Sequence, residues 1–372
     1  MTQSLPGARD LDPGARRAPM GWASRVQDAV TTVGAKVIPW IPTVAKRALV
    51  RGRSVIIDGN TLDPTLQLML SGLHAVGIDG LVVDDDAAAS RAHLHQNMQE
   101  LPGPQIHVEA RDMSIPGPAG EIPARHYRPA GDAAAPLLVF YHGGGWVIGD
   151  LDTHDALCRL TCRDAGIHVL SIDYRLAPEH PAPAAIDDAF AAFEWAYEHA
   201  DELGAIPGRV AVGGDSVGGN LAAVVCQLAR DKGGPTPVLQ WLIYPRTDFT
   251  ARTRSLSLFA RGFALTKRDM DWFESQYLRG SGIDRADPRV SPLLAESLSG
   301  LAPALIAIAG FDPLRDEGES YAVALRAAGT AVDLRSMGSL THGFANLFQL
   351  GDGSATGTSE LISALRAHLS RV

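Results

Sequence analysis

Residues 213–219 read GGDSVGG, a serine among glycines between the apolar run RVAV and the helical pattern NLAAVVCQLAR. Glycine costs backbone entropy in an ordered element, so a dense run marks positive φ or a close approach. Gly214-Asp215-Ser216-Val217-Gly218 fits G-x-S-x-G, a sharp strand-to-helix turn that exposes a strained serine hydroxyl. Such a hydroxyl attacks when a base takes its proton and a carboxylate orients the base. On that turn the acid and the histidine follow the serine in the chain. Asp312 comes directly after the strand-like PALIAIAG. Asp316 and Glu317 compete with it, but they fall where the next helix begins and read as compensation of helix N-terminal charge. His342 lies in the loop SLTHGF after the strand-like AVDLRSMG, whereas His368 falls in the terminal helix. If His342 is the base it must be neutral, so activity is expected to fall in acid.

Attack on a carbonyl creates an oxyanion, which backbone N–H groups can hold where no side chain blocks them. HGGGW at 142–146 follows the apolar run PLLVFYH, and Gly143 and Gly144 are the expected donors, with the Val217 N–H as a third.

These loops need a framework. IHVEARDMSI and EIPARHYRP are β-like runs separated by PGPAG, which predicts an antiparallel hairpin. PLLVFYH, GIHVLSIDY, RVAVGG, PVLQWLIY and PALIAIAG are nearly unbroken apolar runs, as expected for strands covered on both faces. Helical patterns at 153–165, 185–201, 217–231 and 318–328 alternate with them, which predicts an α/β fold with a mostly parallel sheet. Residues 105–372 form the expected catalytic domain, and about 246–300, with a helix from Lys267 to Leu278, read as an insertion.

Residues 1–104 are expected to form a helical cap or lid after a poorly ordered start. Apolar positions from Val26 to Leu49 recur at helical intervals, with Pro39 and Pro42 splitting the run, and further helices are expected at 64–76 and 87–99. No acidic residue occurs between Asp28 and Asp58, while Lys36, Lys46, Arg47, Arg51 and Arg53 are basic. The segment 29–57 therefore has two readings: a helix pair packed over the core, or a basic amphipathic surface for a membrane.

The chain has 372 residues, a formal net charge of -9 and 46% hydrophobic residues, which fits a globular protein and argues against a general nucleic-acid binder. Three cysteines without a CxxC pair point to a reducing, cytoplasmic setting and no metal site; Cys158 and Cys162 read as packed hydrophobes. Nothing at the N-terminus reads as a secretory signal, and no apolar run is long enough to span a membrane.

HGGGW at 142–146, YRLAPEHPAPA at 174–184, GDSVGGN at 214–220 and DPLRDEG at 312–318, with His342 after them, resemble the hormone-sensitive-lipase-like carboxylesterases of the α/β-hydrolase superfamily. The resemblance covers about 105–370. It implies Ser216, Asp312 and His342 as the triad and Gly143, Gly144 and Val217 as oxyanion donors. It also implies a structural role for YRLAPEH, a lid of N-terminal helices, short- to medium-chain acyl esters as substrates, no cofactor, and frequent dimerisation. Val217 departs from the alanine usual in the family, and its bulk is expected to crowd the acyl pocket. Two rivals stay open: an amidase or acyltransferase on the same triad, and a binding-only receptor on the same fold.

Overall fold

The computed structural model describes residues 37–50, 54–103 and 105–371. Eight strands form one sheet: β1 (Glu109–Gly117), β2 (Gly120–Arg128), β3 (Ala135–Tyr141), β4 (His168–Ile172), β5 (Ala205–Asp215), β6 (Gln240–Ile243), β7 (Ala304–Phe311) and β8 (Val332–Thr341). Their order is β1-β2-β4-β3-β5-β6-β7-β8. β1 pairs antiparallel with β2, and β2 with β4; every other pairing is parallel. The expected hairpin and parallel sheet are both present.

The helices are α1 (Thr43–Leu49), α2 (Pro64–Ala75), α3 (Ala87–Glu100), α4 (Asp155–Ala165), α5 (Ala184–Glu198), α6 (Val217–Lys232), α7 (Arg254–Leu258), α8 (Lys267–Tyr277), α9 (Arg315–Ala327) and α10 (Asp352–Leu369). Local chemistry sets their ends. Asp63 caps α2 by accepting from the Thr65 and Leu66 amides, with Pro64 at the first helical position. Thr266 and Asp269 form a capping box at α8, and Gly166 and Gly233 end α4 and α6 in the left-handed conformation.

All eight residues of β7 are buried, as its unbroken apolar run requires. On β3, Leu137, Val139 and Tyr141 face the layer holding α5, α6 and α9, while Leu138 and Phe140 face the layer holding α4 and α10. The period of two thus covers both faces. The strand order reverses between β3 and β5: β4 lies on one side of β3 and β5 on the other. Loops leaving the carboxyl ends of those two strands diverge there and open a crevice.

The N-terminal reading needs correction. The part of the 22–49 pattern before residue 37 lies outside the described residues. Within 37–49 the packing departs from the expected apolar-inward arrangement: Ile38 is buried, but Val37, Val44 and Leu49 are exposed, while Lys46 is buried. The cause is distant in sequence, because the Lys46 ammonium reaches Asp352 Oδ2 at 2.6 Å and Thr65 Oγ1 at 2.8 Å. Among the described residues no helix is long and apolar enough to cross a membrane.

Candidate active site

Ser216 stands between the end of β5 and the start of α6 with φ 56° and ψ -116°, in the left-handed half of backbone space that a non-glycine residue rarely adopts. Its amide donates to the Ile243 carbonyl at 2.8 Å, and its carbonyl accepts from the Asn220 amide at 3.2 Å, which holds the turn from both sides. Gly214 and Gly218 make the turn possible. A Cβ on Gly218 would lie 1.8 Å from the Tyr141 carbonyl oxygen, and one on Gly214 would lie 2.2 Å from the same atom. These are backbone collisions that no rotamer relieves, so close approach is what the glycines provide.

Asp312 lies one residue past β7 and is fully buried; its Oδ1 accepts from the Leu314 amide at 2.8 Å. His342 follows β8. Its Nδ1 lies 2.8 Å from Asp312 Oδ2 and its Nε2 lies 3.0 Å from Ser216 Oγ. The structure therefore brings Ser216, Asp312 and His342 into one hydrogen-bonded line from three strand ends. A proton on Nδ1 held by Asp312 leaves Nε2 as an acceptor for the serine proton.

The competitors are placed elsewhere. Asp316 accepts from the Ser255 amide and from Arg315, and His368 pairs with Asp333. Glu317 is in the first turn of α9, but it is no surface charge compensating a helix end. It is buried, with Oε2 3.1 Å from Arg246 Nη1 and Oε1 accepting from the Thr247 amide at 2.7 Å. Burial pushes its carboxyl up to about 7 against the pull of Arg246.

The glycine loop after β3 brings a second correction. Gly143 cannot offer its N–H to an oxyanion, because that N–H donates to Asp215 Oδ1 at 2.8 Å. Gly144 and Gly145 follow with φ 118° and 64°, and a Cβ on Gly144 would fall 2.0 Å from the Ile148 carbonyl oxygen. Among the described residues no hydrogen bond uses the N–H of Gly144, Gly145 or Val217, and all three residues line the same cavity as Ser216. Gly145 thus takes the place expected for Gly143.

Asp215, inside the motif yet assigned no role from sequence, is the node of this site. Besides Gly143 it meets His154 Nε2 at 3.2 Å and accepts from Asn346 Nδ2 at 2.9 Å. Burial opposes its charge, but His154 and the Gly143 amide prevail and hold the carboxyl below its ordinary range. One buried carboxylate therefore ties the glycine loop to the turn that follows His342. His142 supports the loop from beneath, stacked on Tyr174 at 4.3 Å, whose hydroxyl donates to the His142 carbonyl at 2.6 Å. Burial pushes His142 down to about 4, so the ring is neutral near pH 7. Arg91 on α3 adds a clamp, donating to the Val147 carbonyl at 2.7 Å and the Ala177 carbonyl at 2.8 Å while pairing with Glu179. No sequence pattern singles out Arg91.

Above Ser216 is a cavity of about 170 Å³. Leu81, Leu94 and Met98 approach it from the N-terminal segment, and Leu265, Met270 and Phe273 from the 246–300 segment; Arg246 and Glu274 form a polar wall. Val217 also lines it and is 4% exposed. An apolar chamber with a serine, a base and free amides at one end can bind an acyl chain and attack its carbonyl.

The fold and this constellation define a hydrolase of the α/β class, and a family model described as alpha/beta hydrolase fold matches residues 138–346. The chain belongs to the hormone-sensitive-lipase-like carboxylesterases of the α/β-hydrolase superfamily, and it is a carboxylic ester hydrolase. It is 77% identical over 377 residues to the carboxylic ester hydrolase LipN of Mycobacterium tuberculosis, covering 100% of both chains. It is 42% identical to an ethyl acetate hydrolase of Pseudomonas putida over 67% of this chain and 79% of that one. Among solved structures, the hyperthermophilic esterase of the archaeon Pyrobaculum calidifontis aligns with a TM-score of 0.76 at 37% identity, covering 82% of this chain and 98% of its own.

Proposed function

We propose that Ser216 hydrolyses short- to medium-chain acyl esters through an acyl-enzyme. The observation that carries this reading is the relay of 3.0 Å and 2.8 Å from Ser216 through His342 to Asp312, set beside three uncommitted amides. His342 Nε2 takes the serine proton as Oγ adds to the ester carbonyl. The N–H groups of Gly144, Gly145 and Val217 receive the oxyanion, and Asp312 steadies the imidazolium. The alkoxide leaves with the proton from His342, and water then repeats the sequence on the acyl-serine. Protein groups and water carry every step, so the reaction as written calls for no cofactor.

The walls contributed from residues 81–98 and 249–274 act as a cap that limits acyl length, and Val217 narrows the chamber further. The ethyl acetate hydrolase relative supports a small acyl group. The complete relay favours turnover over a binding-only role. A cytoplasmic setting belongs to the same proposal, supported by three free cysteines that are all buried. The test is steady-state hydrolysis of p-nitrophenyl esters from acetate to palmitate. Specific activity should be greatest among the short and medium esters and disappear in Ser216→Ala; a maximum at palmitate, or an active Ser216→Ala protein, overturns it.

A further inference from the structure

We propose that the exposed apolar side chains of residues 37–50, with Ile56, dock on an anionic lipid surface. Among the described residues seven large apolar side chains are exposed, and five of them fall in this short stretch: Val37 at 49%, Trp40 at 83%, Val44 at 80%, Leu49 at 57% and Ile56 at 63%. Scattered single hydrophobes need no explanation, but a concentration of this kind marks an interaction surface.

The orientation is fixed rather than incidental. Lys46, 1% exposed, is held by Asp352 and Thr65, so α1 is bound to the body by its cation and turns Val44 and Leu49 outward. An amphipathic helix that packs as a lid does the opposite.

Charge selects the occupant. The first 57 residues hold nine basic and three acidic residues, in a chain with 33 basic and 42 acidic overall. Arg47 is exposed on α1, and Asp58, the first acid after the patch, is paired with Arg254 and Arg315. A second copy docking through the same face would set like charges together, and residues 1–36 carry a net basic charge of their own. A lipid surface with anionic headgroups satisfies both halves of the face: apolar side chains and Trp40 enter the interfacial region, and Arg47 meets the headgroups.

The position gives the contact a use. The turn at Ile38–Trp40 packs against the 3₁₀ segment Phe344–Leu350, which follows His342 and contributes Leu347 to the cavity wall. An ester partitioned into the lipid surface would thus be presented close to Ser216.

The test is sedimentation of the full-length protein with vesicles of phosphatidylcholine alone and with a large share of phosphatidylglycerol. Binding should require phosphatidylglycerol, weaken with added salt, and fall about tenfold in the double variant Trp40→Ser/Val44→Ser. Hydrolysis of p-nitrophenyl acetate in solution should be unchanged in that variant, which separates the surface from the catalytic chemistry. Absence of binding to the anionic vesicles, equal binding of parent and variant, or a dimer that the variant dissolves would each overturn the proposal.

Discussion

At the floor of the cavity, Ser216 and the 143–146 loop are fixed by backbone crowding and by hydrogen bonds to a buried carboxylate. At its roof, Leu81, Leu94, Met98 and Phe273 are apolar side chains carried on separate segments. The two regions have different tolerances. Apolar walls accept volume-conserving exchange at small cost. A nucleophile and its oxyanion donors lose rate when displaced by a fraction of a bond length, because proximity and preorganisation supply much of the catalysis. The floor should therefore fail sharply and the roof gradually.

The sharpest failure is expected at Gly218. With the Tyr141 carbonyl 1.8 Å from a new Cβ, Gly218→Ala should destabilise the protein by about 3 kcal/mol or more and abolish turnover, as read by thermal melting and ester hydrolysis. Gly72→Ala on α2, where nothing lies within 4 Å, should instead be neutral or slightly stabilising. Equal behaviour of the two glycines would remove backbone crowding as what fixes the floor.

Asp215→Ala comes next. It frees the Gly143 amide and unties Asn346 without touching the relay, so kcat should fall about 10²-fold or more with a smaller change in KM. Asp215→Asn, whose single oxygen can accept from Gly143 while its amide nitrogen replaces the oxygen that received from Asn346, should restore part of the loss. A KM effect alone would place Asp215 in substrate binding.

Val217→Ala changes the chamber and leaves the N–H in place. It should raise kcat/KM for longer acyl chains by about tenfold, the range expected for added space in an apolar pocket, with little change for acetate. A uniform loss across all lengths would mean that the side chain positions the amide.

The smallest effect concerns acid toward the β1 end of the sheet, away from the floor. His126 on β2 stacks on His168 on β4, with Nε2 and Nδ1 3.0 Å apart. Burial pushes His126 down to about 4 and His168 down as well. Folding therefore disfavours the charged form of each ring, whereas unfolded histidines bind protons below about 6.5. The stability His126 contributes is complete above that value and is lost as the pH falls toward about 4, and His168 acts in the same direction. His126→Gln should flatten the acid limb of a melting profile by a few degrees while leaving activity intact; an unchanged limb would contradict the assignment.

The same contrast decides what could be read from the sequence. Ser216, Asp312 and His342 were legible because each sits in a short motif at a strand's end, where chain order carries the information. The exchange of Gly143 for Gly145 was not, since it depends on a carboxylate 72 residues away that claims the first amide. The burial of Lys46 depends on Asp352, 306 residues distant, so helical periodicity pointed the apolar face inward. The roof residues Leu81, Leu94 and Met98 are ordinary apolar positions, and only the tertiary fold distinguishes them from core.

Acylation of Ser216 with His342 as its base is the step on which the proposed reaction turns. The most direct measurement is covalent labelling by an organophosphonate ester, followed by peptide mapping of the parent, Ser216→Ala and His342→Ala proteins. A single label is expected on the Ser216 peptide, absent from Ser216→Ala and strongly slowed in His342→Ala. Label on another residue, or undiminished labelling in Ser216→Ala, would contradict it.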